Sequence, residues 1–289
     1  MNYEQLEFDI VRWLKDYYYM HNLKSFVVGV SGGIDSAVTS TLCAKTELPV
    51  HAVGMPLYQD PDQESLSDRH LEWLSLNYTN VRHHKFNLSD TFDSFLDTMG
   101  PQFTTKHAEA NSRSRLRMIT LYQIAACQGG VVVGTGNKVE DYGVGFYTKY
   151  GDGGVDIAPI ADLYKTTVWG LGEYMGISSD IVNAEPTDGL WDDKRTDESQ
   201  LGVSYEQLEW VMESGIINNL HDANEAEMWK GIPLTEEQRT AVKQYIKFNT
   251  MNKHKMLPIP TFKLNDDVGV DSLAKGLDLT LSQTKHSGE

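Results

Sequence analysis

The chain has 289 residues, 40% of them hydrophobic, two cysteines and a formal net charge of −16. That length and apolar share suit one large α/β domain, or such a domain with a helical extension. The charge argues against a nucleic-acid partner, no apolar run approaches the ~20 residues of a bilayer span, and the first residues lack the basic and apolar regions of a signal peptide.

Residues 3–20 read as an amphipathic helix, with Leu6, Ile10, Trp13, Leu14 and Tyr17 at helical spacing. The apolar run Phe26 to Val30 predicts a buried strand. It is followed by Ser31-Gly32-Gly33-Ile34-Asp35-Ser36 and a helix over 37–45. Residues 50–55 predict a second strand, closed by Pro56; 58–64 read as a polar loop and 65–77 as a helix. A third strand is expected over 81–88, then a helix to Met99 with Ser89 as its N-cap. Residues 111–128 form a strong helix closed by Gly129-Gly130, and 131–135 a fourth buried strand. Cys43 and Cys127 stand alone and far apart, which suggests neither a disulfide framework nor a zinc knuckle. Both are expected on helices as small apolar fillers, in a reducing cytoplasm.

Strands therefore alternate with helices as far as Thr135, which predicts an α/β fold: a doubly wound parallel sheet with helical extensions. Beyond Thr135 the chain turns glycine-rich. Helices are expected over 165–175, 204–214 and 235–249. Residues 190–200 are highly polar and are expected to be disordered without ligand, in a position to close over a bound nucleotide. One domain is expected over 1–265, with a polar, flexible tail over 266–289.

In a doubly wound sheet, ligands bind at the carboxyl ends of the strands. The 31–36 loop and the segment Thr135–Glu140 both lie there, so they can share one crevice. Glycines let the backbone approach an anion, and the following helix offers unpaired N–H groups and a positive dipole end. Asp35 can hold a magnesium ion bound to phosphate oxygens, and Glu140 could complete that site. The loop has no lysine, so it is not the G-x-x-x-x-G-K-[ST] phosphate loop. His83-His84 could suggest a metal, but adjacent strand residues face opposite sides.

The pattern SGGxDS resembles the pyrophosphate loop of N-type ATP pyrophosphatases, which cleave ATP between the α and β phosphates. That resemblance implies an adenine nucleotide alpha hydrolase-like fold. The run FYTKYGDGGVDIAPIADLYK, residues 146–165, resembles the signature of the NAD synthetase family within that group. Arg115-Leu116-Arg117-Met118-Ile119, Glu185-Pro186-Thr187-Asp188, Asp193-Lys194, Leu201 to Tyr205 and His254-Lys255 resemble it too. The resemblance spans roughly residues 3–262.

The resemblance implies a ligase that joins ammonia to the nicotinate carboxylate of deamido-NAD, with ATP as co-substrate and Mg2+ as metal. Gly29, Val30, Ser31, Gly32, Gly33, Ile34, Asp35 and Ser36 would bind ATP phosphates. Thr135, Lys165 and Thr187 would also contact ATP, and Asp35 and Glu140 would hold magnesium. Asp35 and Lys165 would be the catalytic pair. Arg115, Lys149, Asp156, His254 and Lys255 would contact deamido-NAD, in a homodimer with that substrate across the interface. Arg113 and Arg117 share a helix face and Arg115 points the other way; the resemblance selects Arg115. Glutamine-using relatives carry an added amidase domain; here the resembling region fills nearly the whole chain, so ammonia is the expected direct donor. The family often has Asp-His-Ala-Ala-Glu where this chain has Gly136-Asn137-Lys138-Val139-Glu140, and one extra residue lies between Glu140 and Lys149. A rival reading is another adenylating amidotransferase, against which the 146–165 run argues. A non-catalytic ATP-binding module has less reason to combine Asp35, Glu140 and Lys165.

Overall fold

The computed structural model describes residues 1–187, 189–191, 195–219 and 233–262. Four strands, β1 (Phe26–Gly29), β2 (Val50–Gly54), β3 (Val81–Lys85) and β4 (Val131–Val133), form a parallel sheet in the order β3-β2-β1-β4. The order reverses between β1 and β4. Chain leaving one goes to α2 (Ile34–Lys45), and chain reaching the other comes from α5 (Lys106–Gln128). The loops after these two strands part there and leave a crevice, the preferred ligand position in such sheets.

Side-chain alternation divides the core between the two faces. Phe26, Val28, Val50 and Ala52 pack with Ile10 and Leu14 of α1 (Tyr3–Met20), Val38 and Leu42 of α2, and Leu71 and Leu74 of α3 (Pro61–Asn77). Val27, Val53 and Val132 pack on the opposite face with Phe92 of α4 (Ser89–Met99) and Ala125 of α5. Truncating Leu14, which is fully buried, to alanine should cost about 2–5 kcal/mol. The apolar stripe of α1 is thus covered within its own subunit, while Trp13 stays 45% exposed.

Helix starts follow local chemistry. Asn2 Oδ1 accepts from Gln5 N at 3.2 Å, and Asp60 Oδ1 from Asp62 N at 3.0 Å with Pro61 in the first turn. The α3 helix therefore begins at Pro61, inside the segment read as loop. Ser89 is not the cap of α4: Leu88 holds that position and no side chain caps the helix. The third strand ends at Lys85, and Cys127 is exposed rather than a core filler. His83 bonds Ser75 at 2.6 Å and His84 bonds His51 at 2.9 Å, on opposite sides as the pleat requires.

After β4 come a π-helical turn (Val139–Val144), α6 (Lys165–Tyr174), α7 (Ser179–Val182), α8 (Asp197–Leu201), α9 (Tyr205–Glu213) and α10 (Glu236–Met256). Val139, Val144, Leu201, Tyr205, Leu208 and Val242 form a second core, built on the π turn. Asn249 and Asn252 of α10 donate to Gly143 O and Val144 O at 2.7 and 2.8 Å and tie that turn down. The chain divides into units Met1–Met256 and Leu257–Glu289. The expected boundary at 265 and the expected tail over 266–289 lie outside the described residues. Among the described residues no helix is long and apolar enough to cross a membrane.

One buried base makes the fold acid-sensitive. His70 of α3 is 3% exposed, with Nε2 3.0 Å from Ser40 Oγ, and burial pulls its pKa down to about 4. Between that value and the ordinary ~6.5 the unfolded chain binds more protons, so stability falls as pH falls through this window, by roughly 3 kcal/mol at most. Burial shifts His51 and His84 in the same direction. The variant His70→Gln should therefore lose less stability than wild type between pH 6.5 and 4 in urea titrations. Parallel losses in the two proteins would contradict this.

Candidate active site

The cavity at the crevice measures about 770 Å³, and the whole of 29–36 lines it together with Thr135, Glu140, Lys165 and Thr187. Ser31 N donates to Ser36 Oγ at 3.1 Å, and Ser36 Oγ donates to Gly33 O at 2.9 Å, which shapes the loop. Gly32 has φ +93°, and a Cβ there would meet Gln63 O at 2.6 Å. The tight turn thus requires glycine on both counts. The N–H groups of Ile34, Asp35 and Ser36, in the first turn of α2, have no acceptor within the helix and suit an anion.

Lys165, at the first position of α6, reaches back to the two strand-end segments. Its Nζ donates to Asp35 Oδ2 at 2.5 Å and to Glu140 Oε1 at 3.2 Å, with 3% of its side chain exposed. Asp35 and Glu140, whose side chains are 17% and 16% exposed, are therefore held at one point. Burial opposes charge on Lys165, but Asp35, Glu140 and Asp197 outweigh it and raise its pKa. Burial raises the Asp35 carboxyl as well; Lys165 pulls it down and Glu140 pushes it up again.

Several members of this group carry no motif signal of their own. Asn137 is fully buried; its Oδ1 accepts from Val139 N and Glu140 N at 3.1 and 3.2 Å, and its Nδ2 donates to Asp35 Oδ1 at 3.4 Å. One side chain thus starts the π turn that aims Glu140 and also touches Asp35. Asp141 is pushed up to about 8 by burial, with Glu140, Asp152 and Asp35 adding to it. Asp197 is 5% exposed and lines the cavity. Residues 190–200 therefore are not one disordered loop: Thr196 caps α8 and Asp197 belongs to the site, while 192–194 lie outside the described residues.

The residues expected at the second substrate form a different group. Arg115 Nε donates to Lys149 O at 3.3 Å, Lys149 Nζ to His254 O at 3.1 Å, and Lys255 Nζ to Tyr147 O at 2.6 Å. They cluster, but they do not line the main cavity. The 148–152 turn joins the two places, since Asp152 lines the cavity and accepts from Ser114 Oγ at 2.6 Å. Arg117 is the α5 arginine on the cavity wall; it donates to Met55 O at 3.1 Å and Gln59 Oε1 at 3.0 Å. Asp156 accepts from Tyr122 Oη at 3.0 Å and Val132 N at 2.7 Å, at the start of β4.

Metal fit follows from charge and donor type. The carboxylates of Asp35 and Glu140 meet at the ammonium of Lys165, and Asp197 adds to the negative field there. Their hard oxygens suit magnesium, which takes one or two carboxylates and completes its shell with phosphate and water. Among the described residues no cluster of three or more His, Cys, Asp or Glu has the spacing of a complete protein-made site.

Residues 7–258 match the family model described as NAD synthase. The chain is 34% identical over 247 residues to the NH(3)-dependent NAD(+) synthetase of Finegoldia magna, covering 85% of this chain and 97% of that one. It is 33% identical to the protein of the same name from Sulfolobus acidocaldarius, over 89% of this chain and 88% of that one. Among solved structures, an NMN synthetase from Francisella tularensis superposes with a TM-score of 0.78 at 29% identity, covering 91% of this chain and all of that one. An NH3-dependent NAD synthetase from Campylobacter jejuni superposes with a TM-score of 0.68 at 21% identity, again over 91% of this chain and all of that one, a likeness of fold.

Proposed function

The chain belongs to the NAD synthase family, a family of ligases, and from that premise we propose that it amidates the nicotinate carboxylate of deamido-NAD. ATP and ammonia are the co-substrates, and NAD, AMP and pyrophosphate the products. The observation that carries this reading is the Lys165 ammonium seated between Asp35 and Glu140 beside the 31–36 loop. A carboxylate is a poor electrophile. Attack of its oxygen on the α-phosphate of ATP forms a mixed anhydride and expels pyrophosphate; ammonia then attacks the activated carbonyl and AMP leaves. The work is positioning and charge stabilisation.

In this reading the N–H groups of 34–36 and the hydroxyl of Ser31 take the phosphates, Ser36 shapes the loop that presents them, and Thr135 and Thr187 orient ATP. Lys165 balances charge developing on the leaving pyrophosphate. Asp35 and Glu140 would hold magnesium, which would supply positive charge to the phosphates. Arg115, Lys149 and Lys255 offer positive charge to an anionic acceptor, with His254 beside them, while Asp156, held by Tyr122 and Val132, would contact it separately. Ammonia as direct donor is supported by the names of the relatives. Use of ATP as co-substrate supports a cytoplasmic setting.

The acceptor has a second reading, favoured by the likeness to an NMN synthetase at 29% identity. Nicotinate mononucleotide offers the same carboxylate and lacks the adenylate half. The experiment is to follow product by chromatography with MgATP and either acceptor, with ammonium or with glutamine. Amide formation from deamido-NAD with ammonium, and little with glutamine, is the expected result. A preference for the mononucleotide transfers the proposal to that acceptor, and no amide from either refutes it.

We also propose a homodimer. Phe95 and Met99 of α4 and Phe103 just after it are 44%, 39% and 65% exposed, an apolar surface that a second copy would cover. Light scattering at micromolar concentration should give twice the 32.5 kDa chain mass. A monomer with full activity would contradict it.

A further inference from the structure

Glu140 is held from two sides. Asn137 fixes its backbone, and its carboxylate accepts a hydrogen bond from Tyr205 Oη at 2.7 Å. Tyr205 is the first residue of α9 and is completely buried. Its ring lies 4.8 Å from Lys165 Nζ, and its hydroxyl is 3.3 Å from Asp197 Oδ2. Its own N–H donates to Glu198 Oε1 at 3.0 Å. One side chain therefore touches Glu140, Asp197 and Lys165. A buried phenol hydroxyl needs a partner, and this one has chosen the oxygen of Glu140 that also accepts from Lys165.

We propose that Tyr205 is a positioning residue for the metal carboxylate: its hydroxyl occupies Glu140 Oε1 and leaves the other oxygen, Oε2, turned toward the phosphate-bound magnesium. This rests on the metal assignment to Asp35 and Glu140 made above. Without the hydroxyl, the carboxylate can rotate onto Lys165 with both oxygens and lose its aim. Hydrogen-bonding partners of metal ligands commonly tune affinity by about tenfold or more.

The test is a Mn2+ titration read by electron paramagnetic resonance, with α,β-methylene-ATP as the nucleotide, on the full chain. Four proteins are compared: wild type, Tyr205→Phe, Glu140→Gln and Tyr245→Phe. Tyr245 is a buried tyrosine in the same helical layer and controls for loss of a phenol hydroxyl. Tyr205→Phe keeps the ring and should weaken Mn2+ binding about tenfold, while its melting temperature in EDTA moves by about 4 °C or less. Its turnover should recover toward wild type at saturating magnesium, a shift in metal requirement and not in kcat. Glu140→Gln should weaken Mn2+ binding further, and Tyr245→Phe should leave it unchanged. Wild-type affinity in Tyr205→Phe, with Glu140→Gln impaired, would overturn the proposal and leave the metal site standing. A melting temperature lowered by more than about 10 °C would also overturn it, because the hydroxyl would then serve the fold. Equal Mn2+ binding by wild type and Glu140→Gln would overturn the metal assignment and this proposal with it.

Discussion

The substitution Lys165→Met should cost both the fold and the reaction. Met keeps the length and the apolar stem but takes the ammonium away from Asp35 and Glu140, and the Lys165 side chain is 3% exposed. Removing one partner of a buried charge pair costs about 3–5 kcal/mol, because the remaining charge has lost its solvent and its counter-ion. For a chain of this size that lowers the melting temperature by roughly 10 °C. Turnover should fall at least about a thousandfold, since in the proposed reaction the ammonium balances charge developing on the leaving pyrophosphate. Added magnesium should return part of the lost stability by restoring positive charge among the carboxylates. Calorimetry in EDTA and in magnesium, with AMP release as the activity readout, covers all three. An unchanged melting temperature together with turnover within tenfold of wild type would show that Lys165 is neither counter-ion nor catalytic group.

Asp35→Asn should separate what Lys165→Met combines. The amide has the same size, and Glu140 remains to pair with Lys165 at 3.2 Å. Burial and Glu140 raise the Asp35 carboxyl in spite of Lys165, so the folded protein gains little from its charge. Stability should therefore stay near wild type. Turnover should drop by roughly a thousandfold or more, because the substitution removes a carboxylate proposed to hold the metal at the phosphoryl centre. Near-native turnover at limiting magnesium would remove Asp35 from the metal site.

The loop 31–36, its preceding strand and its following helix are contiguous, so a pattern within a dozen residues announces them. Apolar runs at 26–30, 50–55 and 131–135 give the buried strands, and their alternation with helices gives the parallel sheet. The third strand is harder: Val81-Arg82-His83-His84-Lys85 lies at the sheet edge and exposes three of its five residues. Asp60-Pro61 is a cap followed by a first-turn proline, a helix signal hidden in a polar segment.

The supporting half of the site depends on distance along the chain. Tyr205 lies 65 residues from Glu140 and Lys165 lies 130 from Asp35. No local periodicity links such positions; the packing of α6 on α2 and of α9 on the π turn brings them together. Asn137 could have been suspected from its place three residues before Glu140, since asparagine readily hydrogen-bonds nearby backbone N–H groups. The polar neighbours of Asp197 predict a disordered stretch, whereas α8, capped by Thr196, holds it buried. The sequence separated Arg117 from Arg115 by helix face but could not say which face meets the cavity; the structure gives the wall to Arg117 and puts Arg115 beside Lys149.

The central claim is that the acceptor carboxylate is activated by transfer of AMP from ATP. Deamido-NAD carrying 18O in its nicotinate carboxylate tests it most directly, with ammonium and MgATP as co-substrates and mass spectrometry of the nucleotide products. The account predicts one labelled oxygen in AMP, unlabelled pyrophosphate and an amide that keeps the other oxygen. Label in orthophosphate with ADP as co-product, or amide formation with no label in AMP, would contradict it.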